Sequence, residues 1–509
     1  MRQTRNIHRA AIAATIGLAV SFAPPALAAT GTNSGALRSA VTAQNITEHL
    51  HTLQNIATAN GGNRAAGTSG YEASAQYIEG KLRAAGYVVE RQHFTYDRYD
   101  FTSAALQRVS PNPETYAHGS DEDFLDMSYS GSGDVTADLV PVDLNLAGDH
   151  ASTSGCEADD FDASMQGNIA LIQRGTCSFR IKADNAADAG AMGVIIFNQG
   201  NVVPGDDRLG LFGGTLDLPQ AEIPVVSTSY ATGAELAGLS GVRMRLAVDA
   251  DVTPISTFNV LADTPVGRAD RTVVVGAHLD SVAEGPGIND NGSGTAAILE
   301  TALQMNKLNL APTNRVRFAF WGGEEDGLIG SEYYVNQLTA RQIKEHALNL
   351  NFDMVGSPNF VRFVYDGDGS AFGEKGPNGS ALVEKVFLDY FKSQNLPVEP
   401  TEFDGRSDYF GFISNGIPAG GLFTGAEGTK SVEEAEIFGG TAGAAYDPCY
   451  HAACDGIDNM DPGVLEEMAD AIAHSTLTFG MTTSAVNGTT KGNGSGNVHL
   501  EYKANKLLK

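Results

Sequence analysis

The feature that most constrains this chain is an alternation of two apolar periodicities that begins at Phe258. Residues 273–275 read as a buried strand, and Ile298, Ala302 and Met305 then recur at helical spacing. Val316, Phe318 and Phe320 mark a second strand, and Phe352 lies in a third. Leu382, Val386 and Phe387 form another helical stripe, followed by a strand at 421–424. Asp461-Pro462 gives an N-cap with proline at the first helical position, and Val464, Met468 and Ile472 carry the helix onward. Strands alternating with helices build an α/β sheet, mixed but largely parallel, with helices on both faces. Ligands bind such sheets at the carboxyl ends of the strands, so chemistry is expected just past each strand.

The preceding segments read differently. From residue 47 to 85 the pattern is helical, with Ile78, Leu82 and Ala85 on one face; Gly86 stops it and residues 87–90 read as a strand. Residues 130–250 are rich in Asp, Gly and Ala, with short strands at 169–172 and 194–197 and a small helix at 181–189, so they form a separate compact insert. The predicted organisation is a leader at 1–28, a mobile stretch at 29–44, a main unit at 45–129 and 251–480, the insert at 130–250, and a flexible Gly/Asn/Ser/Thr-rich, then Lys-rich, tail at 481–509.

The leader has the parts of a secretory signal. Arg2, Arg5 and Arg9 precede a short apolar run at 10–22, and Ala26-Leu27-Ala28 is a small-residue cleavage site. The run is well short of the roughly 20 residues that a membrane span needs, and no later segment is long and apolar enough. Secretion to the extracellular space is expected. Export suits disulfides. Four cysteines permit three connectivities, and the local pairs Cys156 with Cys177 and Cys449 with Cys454 are favoured because each flanks one structural unit. Their spacings make no metal-binding cysteine knuckle. A net charge of −28, from 33 basic against 61 acidic residues, argues against nucleic-acid binding. Nothing in the chain fixes its oligomeric state.

Four motifs fall where strands should end: Gly276-Ala277-His278-Leu279-Asp280-Ser281, Gly287-Ile288-Asn289-Asp290-Asn291-Gly292-Ser293-Gly294 (just before a helix), Phe320-Trp321-Gly322-Gly323-Glu324-Glu325 and Phe352-Asp353-Met354-Val355-Gly356-Ser357; a fifth, Asp447-Pro448-Cys449-Tyr450-His451, lies near the C-terminus inside the small expected disulfide loop. Singly, each has an ordinary reading: a packed histidine, an Asp-Asn-Gly turn, a solvated pair of glutamates. Together they bring two histidines and several carboxylates to one edge of one sheet. Imidazole and carboxylate suit zinc and similar metals. One metal needs three protein ligands, so five candidates suggest two metals sharing a carboxylate, in a site where the cations sit about 3.5–4 Å apart.

In these motifs the chain resembles the M28 family of metallopeptidases, near its secreted bacterial and fungal aminopeptidases. The resemblance covers residues 45–125 and 251–480 and includes Asn63-Arg64-Ala65-Ala66-Gly67-Thr68-Ser69-Gly70-Tyr71. Gln173-Arg174-Gly175-Thr176-Cys177-Ser178-Phe179 and Ala189-Gly190-Ala191-Met192-Gly193 resemble a small β-rich protease-associated (PA) domain, which several branches insert in the catalytic unit. The resemblance implies a zinc-exopeptidase fold of the phosphorylase/hydrolase-like kind. It implies two zinc ions, His278 and Asp353 on one, Glu325 and His451 on the other, and Asp290 bridging them. Asp280 would accept from the second ring nitrogen of His278, and Glu324 would be the general base. Tyr450 would stabilise the oxyanion, and Arg406 and Phe423 would line the substrate pocket. A cis peptide is expected between Asp290 and Asn291. The implied activity is removal of N-terminal, apolar, leucine-type residues from peptides. The acidity leaves room for a calcium site that no motif places.

Three rivals share the fold. Carboxypeptidases and glutamyl exopeptidases hold a free carboxylate and need an arginine cluster, for which Arg406 is the only clear candidate. Glutaminyl cyclases use one metal, against a full set of five ligands here. An inactive binding module, with the PA domain as its working part, would betray itself by a missing ligand. The PA domain itself either restricts access to the cleft or binds protein.

Overall fold

The computed structural model describes residues 32–119, 122–203 and 206–487. The leader expected over 1–28 and the tail beyond residue 487 lie outside the described residues.

The strand Arg268–His278 is the axis of the main sheet. Asn314–Trp321 and His346–Phe352 flank it in parallel, and Ala419–Phe423 pairs in parallel with the latter. Phe363–Tyr365 and Arg243–Asp263 add antiparallel neighbours on the two sides. The sheet is thus mixed and largely parallel, as the alternation predicts. Its strands bury both faces, which parallel sheets require. Val273 and Val275 point into one core, shared with helices Ala43–Ala59, Ser69–Ala84, Gly294–Lys307 and Pro462–Met481. Val274, between them, packs with Trp321, Tyr334 and Phe412 on the opposite face. Each such side chain contributes about 1.5–3 kcal/mol through burial. Asp461 caps the last long helix, accepting from the backbone N–H groups of Gly463 and Val464.

Four expectations need correction. The predicted helix from 47 to 85 is two helices, Ala43–Ala59 and Ser69–Ala84, because Gly61 and Gly62 take φ of +86° and +96°, which no helix can continue. Residues 32–44 are not mobile: the helix Gly35–Arg38 places Leu37 in the main core, and Val41 joins it. Met481 ends a helix rather than starting a tail, and Val486, in the helix Ser484–Asn487, seats on the same core. The short strand at 87–90 is in fact Val88–Ser110, 23 residues long. Charged residues such as Arg91, Asp97, Arg98 and Asp100 interrupt its apolar pattern and hide its length.

That long strand pairs with Arg243–Asp263 from Val88↔Asp263 to Ser110↔Arg243 and carries a second sheet at its far end. There Gly133–Val142, Ile169–Gln173, Gly193–Phe197 and Val225–Thr228 lie in parallel, with helices Phe179–Asp188 and Tyr230–Gly238 and buried cores of their own. Residues before this unit, from Leu37 to Tyr87, pack in the main core, so the second unit interrupts the first. The disulfides are Cys156–Cys177 and Cys449–Cys454. Among the described residues no helix is long and apolar enough to cross a membrane.

Candidate metal centre

All five predicted ligands converge at the carboxyl edge of the main sheet. His278 is the last residue of its strand, and Asp353 directly follows the strand His346–Phe352. Glu324 and Glu325 follow Asn314–Trp321, and His451 lies in the loop closed by Cys449–Cys454. Asp290 sits in the turn before the helix Gly294–Lys307, and the peptide after it is cis. Gly287 opens that turn at φ +61°, where a Cβ would lie 2.4 Å from the Asp290 carbonyl oxygen.

The contacts divide into two triads that meet at Asp290. His278 Nε2 is 3.1 Å from Asp290 Oδ1 and 3.3 Å from Asp353 Oδ1. His451 Nε2 is 3.2 Å from Asp290 Oδ2 and 3.0 Å from Glu325 Oε2. The two oxygens of one carboxylate therefore face different histidines. Glu324 Oε2 is 3.9 Å from His278 Nε2, farther out than these contacts, and with His278 and Asp353 it forms a further group close enough to hold a cation.

Burial tests whether these residues suit cations. His278 Nε2, Glu325 Oε1 and Asp353 Oδ1 are buried without a well-formed hydrogen bond; the first and last meet only the charge contacts given above. Orphaned buried polar atoms are costly, and a cluster of them on ligand-type side chains fits divalent cations. Without cations the cluster balances itself with protons. Burial works to lower the His451 pKa, but Glu325 and Asp290 outweigh it and lift it to about 9. Burial is likewise opposed at His278, where Asp353 and Glu324 hold the protonated form. Burial favours neutral Asp290, yet hydrogen bonds to His278 and His451 keep its carboxyl below the usual range. At Glu324 burial, helped by Asp353, Asp408 and Glu325, outweighs the attraction of His278 and pushes the carboxyl well up.

The surrounding contacts fix these side chains. Ser407 donates to Asp353 Oδ2 at 2.5 Å, and Asn351 donates to Ser407 Oγ at 2.8 Å. Asp280 faces the second ring nitrogen of His278, with Nδ1 3.2 Å from its backbone oxygen and 3.7 Å from Oδ1. The same carboxylate also accepts the backbone N–H groups of Glu324 and Glu325, both at 3.3 Å. It positions the glutamate pair more than the imidazole.

Two residues with no role assigned from sequence anchor the loops. Arg64 is fully buried, and its guanidinium donates to the backbone oxygens of Leu279, Pro286 and Gly287, tying down the segment between His278 and Asp290. Asp455 accepts the N–H groups of Asn289 and Asp290 at 2.8 and 3.0 Å, and burial pushes its pKa up to about 7. An arginine inside an otherwise uncharged Asn-Arg-Ala-Ala-Gly segment was the available signal for the first. Asp455 carried none beyond its place after Cys454.

A pocket opens beside the cluster. Leu328, Met354, Tyr365, Phe423 and Ala426 give it an apolar side. Tyr450 and Arg406 lie at its polar end, where Arg406 Nη2 is 3.3 Å from the Tyr450 hydroxyl and Nη1 is 2.7 Å from Glu427. The Tyr450 ring stacks on His451 with centroids 3.7 Å apart. Elsewhere, Asp366, Asp368 and Glu384 also approach one another, but backbone N–H groups occupy their carboxylates.

Histidines and carboxylates paired at the ligand edge of a largely parallel sheet define a metallohydrolase-type α/β protein. Residues 259–476 match the family model described as Peptidase family M28, and residues 135–236 match the PA domain. An aminopeptidase of Pseudomonas aeruginosa is 50% identical over 446 residues, which cover 87% of this chain and 82% of that protein. Among solved structures, an aminopeptidase from Aneurinibacillus shares the fold at TM-score 0.66 and 27% identity, over 87% of this chain and 95% of its own. A zinc aminopeptidase from Bacillus subtilis does so at TM-score 0.56 and 24% identity, over 92% and 98%. The chain belongs to peptidase family M28, with a PA domain interrupting its catalytic unit.

Proposed function

We propose that this chain is a secreted metallo-aminopeptidase that removes apolar, leucine-type N-terminal residues from peptides. The observation that carries the reading is the pair of histidine–carboxylate triads meeting at Asp290 beside an apolar pocket. His278, Asp290 and Asp353 would hold one zinc ion, and Asp290, Glu325 and His451 the other. Bound there, the cations acidify water toward neutral pKa and polarise a carbonyl. Glu324, half-buried 3.9 Å from His278, takes the water proton and returns it to the leaving amine. Tyr450, next to Arg406, donates its hydroxyl to the developing oxyanion. Leu328, Met354 and Phe423 receive the first side chain. Secretion rests on the leader-like N-terminus and agrees with two disulfides. Cys449–Cys454 closes the loop carrying Tyr450 and His451, and its role is to position both.

A carboxypeptidase reading finds little support, since the one arginine lining the pocket, Arg406, is already paired with Glu427. Glu402 and Asp404 also line the pocket, and an acidic surround suits a substrate ammonium. Leucine 4-nitroanilide and its N-acetyl derivative separate the cases. Zinc-dependent cleavage of the free-amine substrate alone is expected; equal cleavage of both, or of neither, contradicts the proposal.

A further inference from the structure

The metal centre borders a second cavity that the proposed chemistry leaves unused. Glu325 lines both the apolar pocket and this larger cleft, which runs from the cluster toward the PA unit. The cavity volumes are about 110 Å³ for the pocket and about 530 Å³ for the cleft. The first has room for one side chain and the second for several residues. Ala65, Ser281 and Ala283 form the catalytic wall of the cleft. Phe101, from the long ladder, and Tyr129, at the base of the PA unit, form the opposite wall.

An exopeptidase that seats one N-terminal side chain in the pocket must lead the rest of the substrate away from the metals by another route. Resting on the aminopeptidase reading, the geometry points to this cleft as the binding site for the peptide chain beyond the scissile bond, with the PA side supplying one wall. The aromatic residues there are held in place without being consumed by the core. Phe101 is 39% exposed and stacks on His118 at 4.8 Å, and Tyr129 donates its hydroxyl to the Asp97 backbone oxygen at 3.0 Å. Rigid aromatic walls offer contact area at small entropic cost. Several charged groups of the cleft are already engaged: Arg98 with Asp100, Asp126 with Tyr99 and His118, Asp326 with Tyr96. Glu284 is exposed at the wall beside Ala283, so the cleft takes a peptide chain mainly through its aromatic walls and keeps an acidic edge.

The test uses the zinc-loaded full chain with leucine 4-nitroanilide, Leu-Ala, Leu-Ala-Ala and Leu-Ala-Ala-Ala. In the wild type kcat/KM is expected to rise roughly tenfold from dipeptide to tetrapeptide, since remote contacts lower the barrier. The double variant Phe101→Ala/Tyr129→Ala loses that gain and keeps nitroanilide turnover. Ala283→Trp, at an exposed position, plugs the cleft from the other wall and does the same without touching the aromatics. A flat length series in the wild type, a gain that survives both variants, or equal losses on nitroanilide and tetrapeptide would overturn the inference. Failure of the aminopeptidase reading shows differently, as no cleavage of the nitroanilide at all.

Discussion

The two sheets of this molecule use similar architecture for opposite ends. Both are largely parallel, both bury strands on two faces, and both place polar residues where strands stop. In the PA unit those residues satisfy one another. Gln173 exchanges hydrogen bonds with the backbone of Asn145 and donates to Gln199 O, and Arg174 donates to Asn198 Oδ1. In the catalytic unit His278, Glu325 and Asp353 keep buried atoms without well-formed hydrogen bonds. Parallel topology makes a ligand edge available, and unsatisfied donor chemistry at that edge decides whether it holds a cation.

The sharpest way to break the comparison is to remove the proton carrier from the catalytic edge. Glu324→Ala is expected to lower kcat by about 10²–10⁴-fold, the usual worth of a general base, while metal content stays at the wild-type value. Mass-spectrometric metal analysis beside the nitroanilide assay reads both; near-normal turnover would remove Glu324 from the base role. Next in size is metal removal. Chelation should abolish activity and lower stability by about 4 kcal/mol relative to protein at a thousandfold excess of metal over Kd. Because His451 is protonated below about pH 9 in the metal-free site, uptake must expel that proton. Apparent zinc affinity should therefore rise with pH up to about 9, and a pH-independent affinity would count against these ligands.

Smaller effects separate scaffold from site. Arg64→Met strands three buried backbone oxygens and should cost about 3 kcal/mol in urea unfolding, with weakened zinc binding because the His278–Asp290 segment loosens. Unchanged stability would mean those carbonyls find other donors. Gln173→Leu, at the corresponding edge of the PA sheet, should cost about 2 kcal/mol and leave kcat on leucine 4-nitroanilide untouched. A matching loss of kcat would show that the two edges are coupled.

Much of this contrast was legible in the residues. The unbroken apolar run at 273–275 and the alternation at Val316, Phe318 and Phe320 locate the central strands, because the first is buried on both faces and the second keeps every other side chain in the core. His278, Asp290, Glu325 and Asp353 are legible because ligand-type side chains recur where strands stop, and His451 because it sits in a short disulfide loop. The long ladder was not legible, since Arg91 to Asp100 carry charge where an apolar pattern would mark a strand. The role of Arg64 was not legible for a different reason: its partners are backbone oxygens, which have no sequence signature. The further contact of the Asp280 carboxylate with the amides of Glu324 and Glu325 has no sequence signature for the same reason.

The measurement closest to the central claim is anomalous diffraction from zinc-loaded crystals at the zinc edge. Two peaks are predicted, one between His278 and Asp353 and one between Glu325 and His451, with Asp290 touching both. A single peak, or zinc bound away from Asp290, would contradict the account.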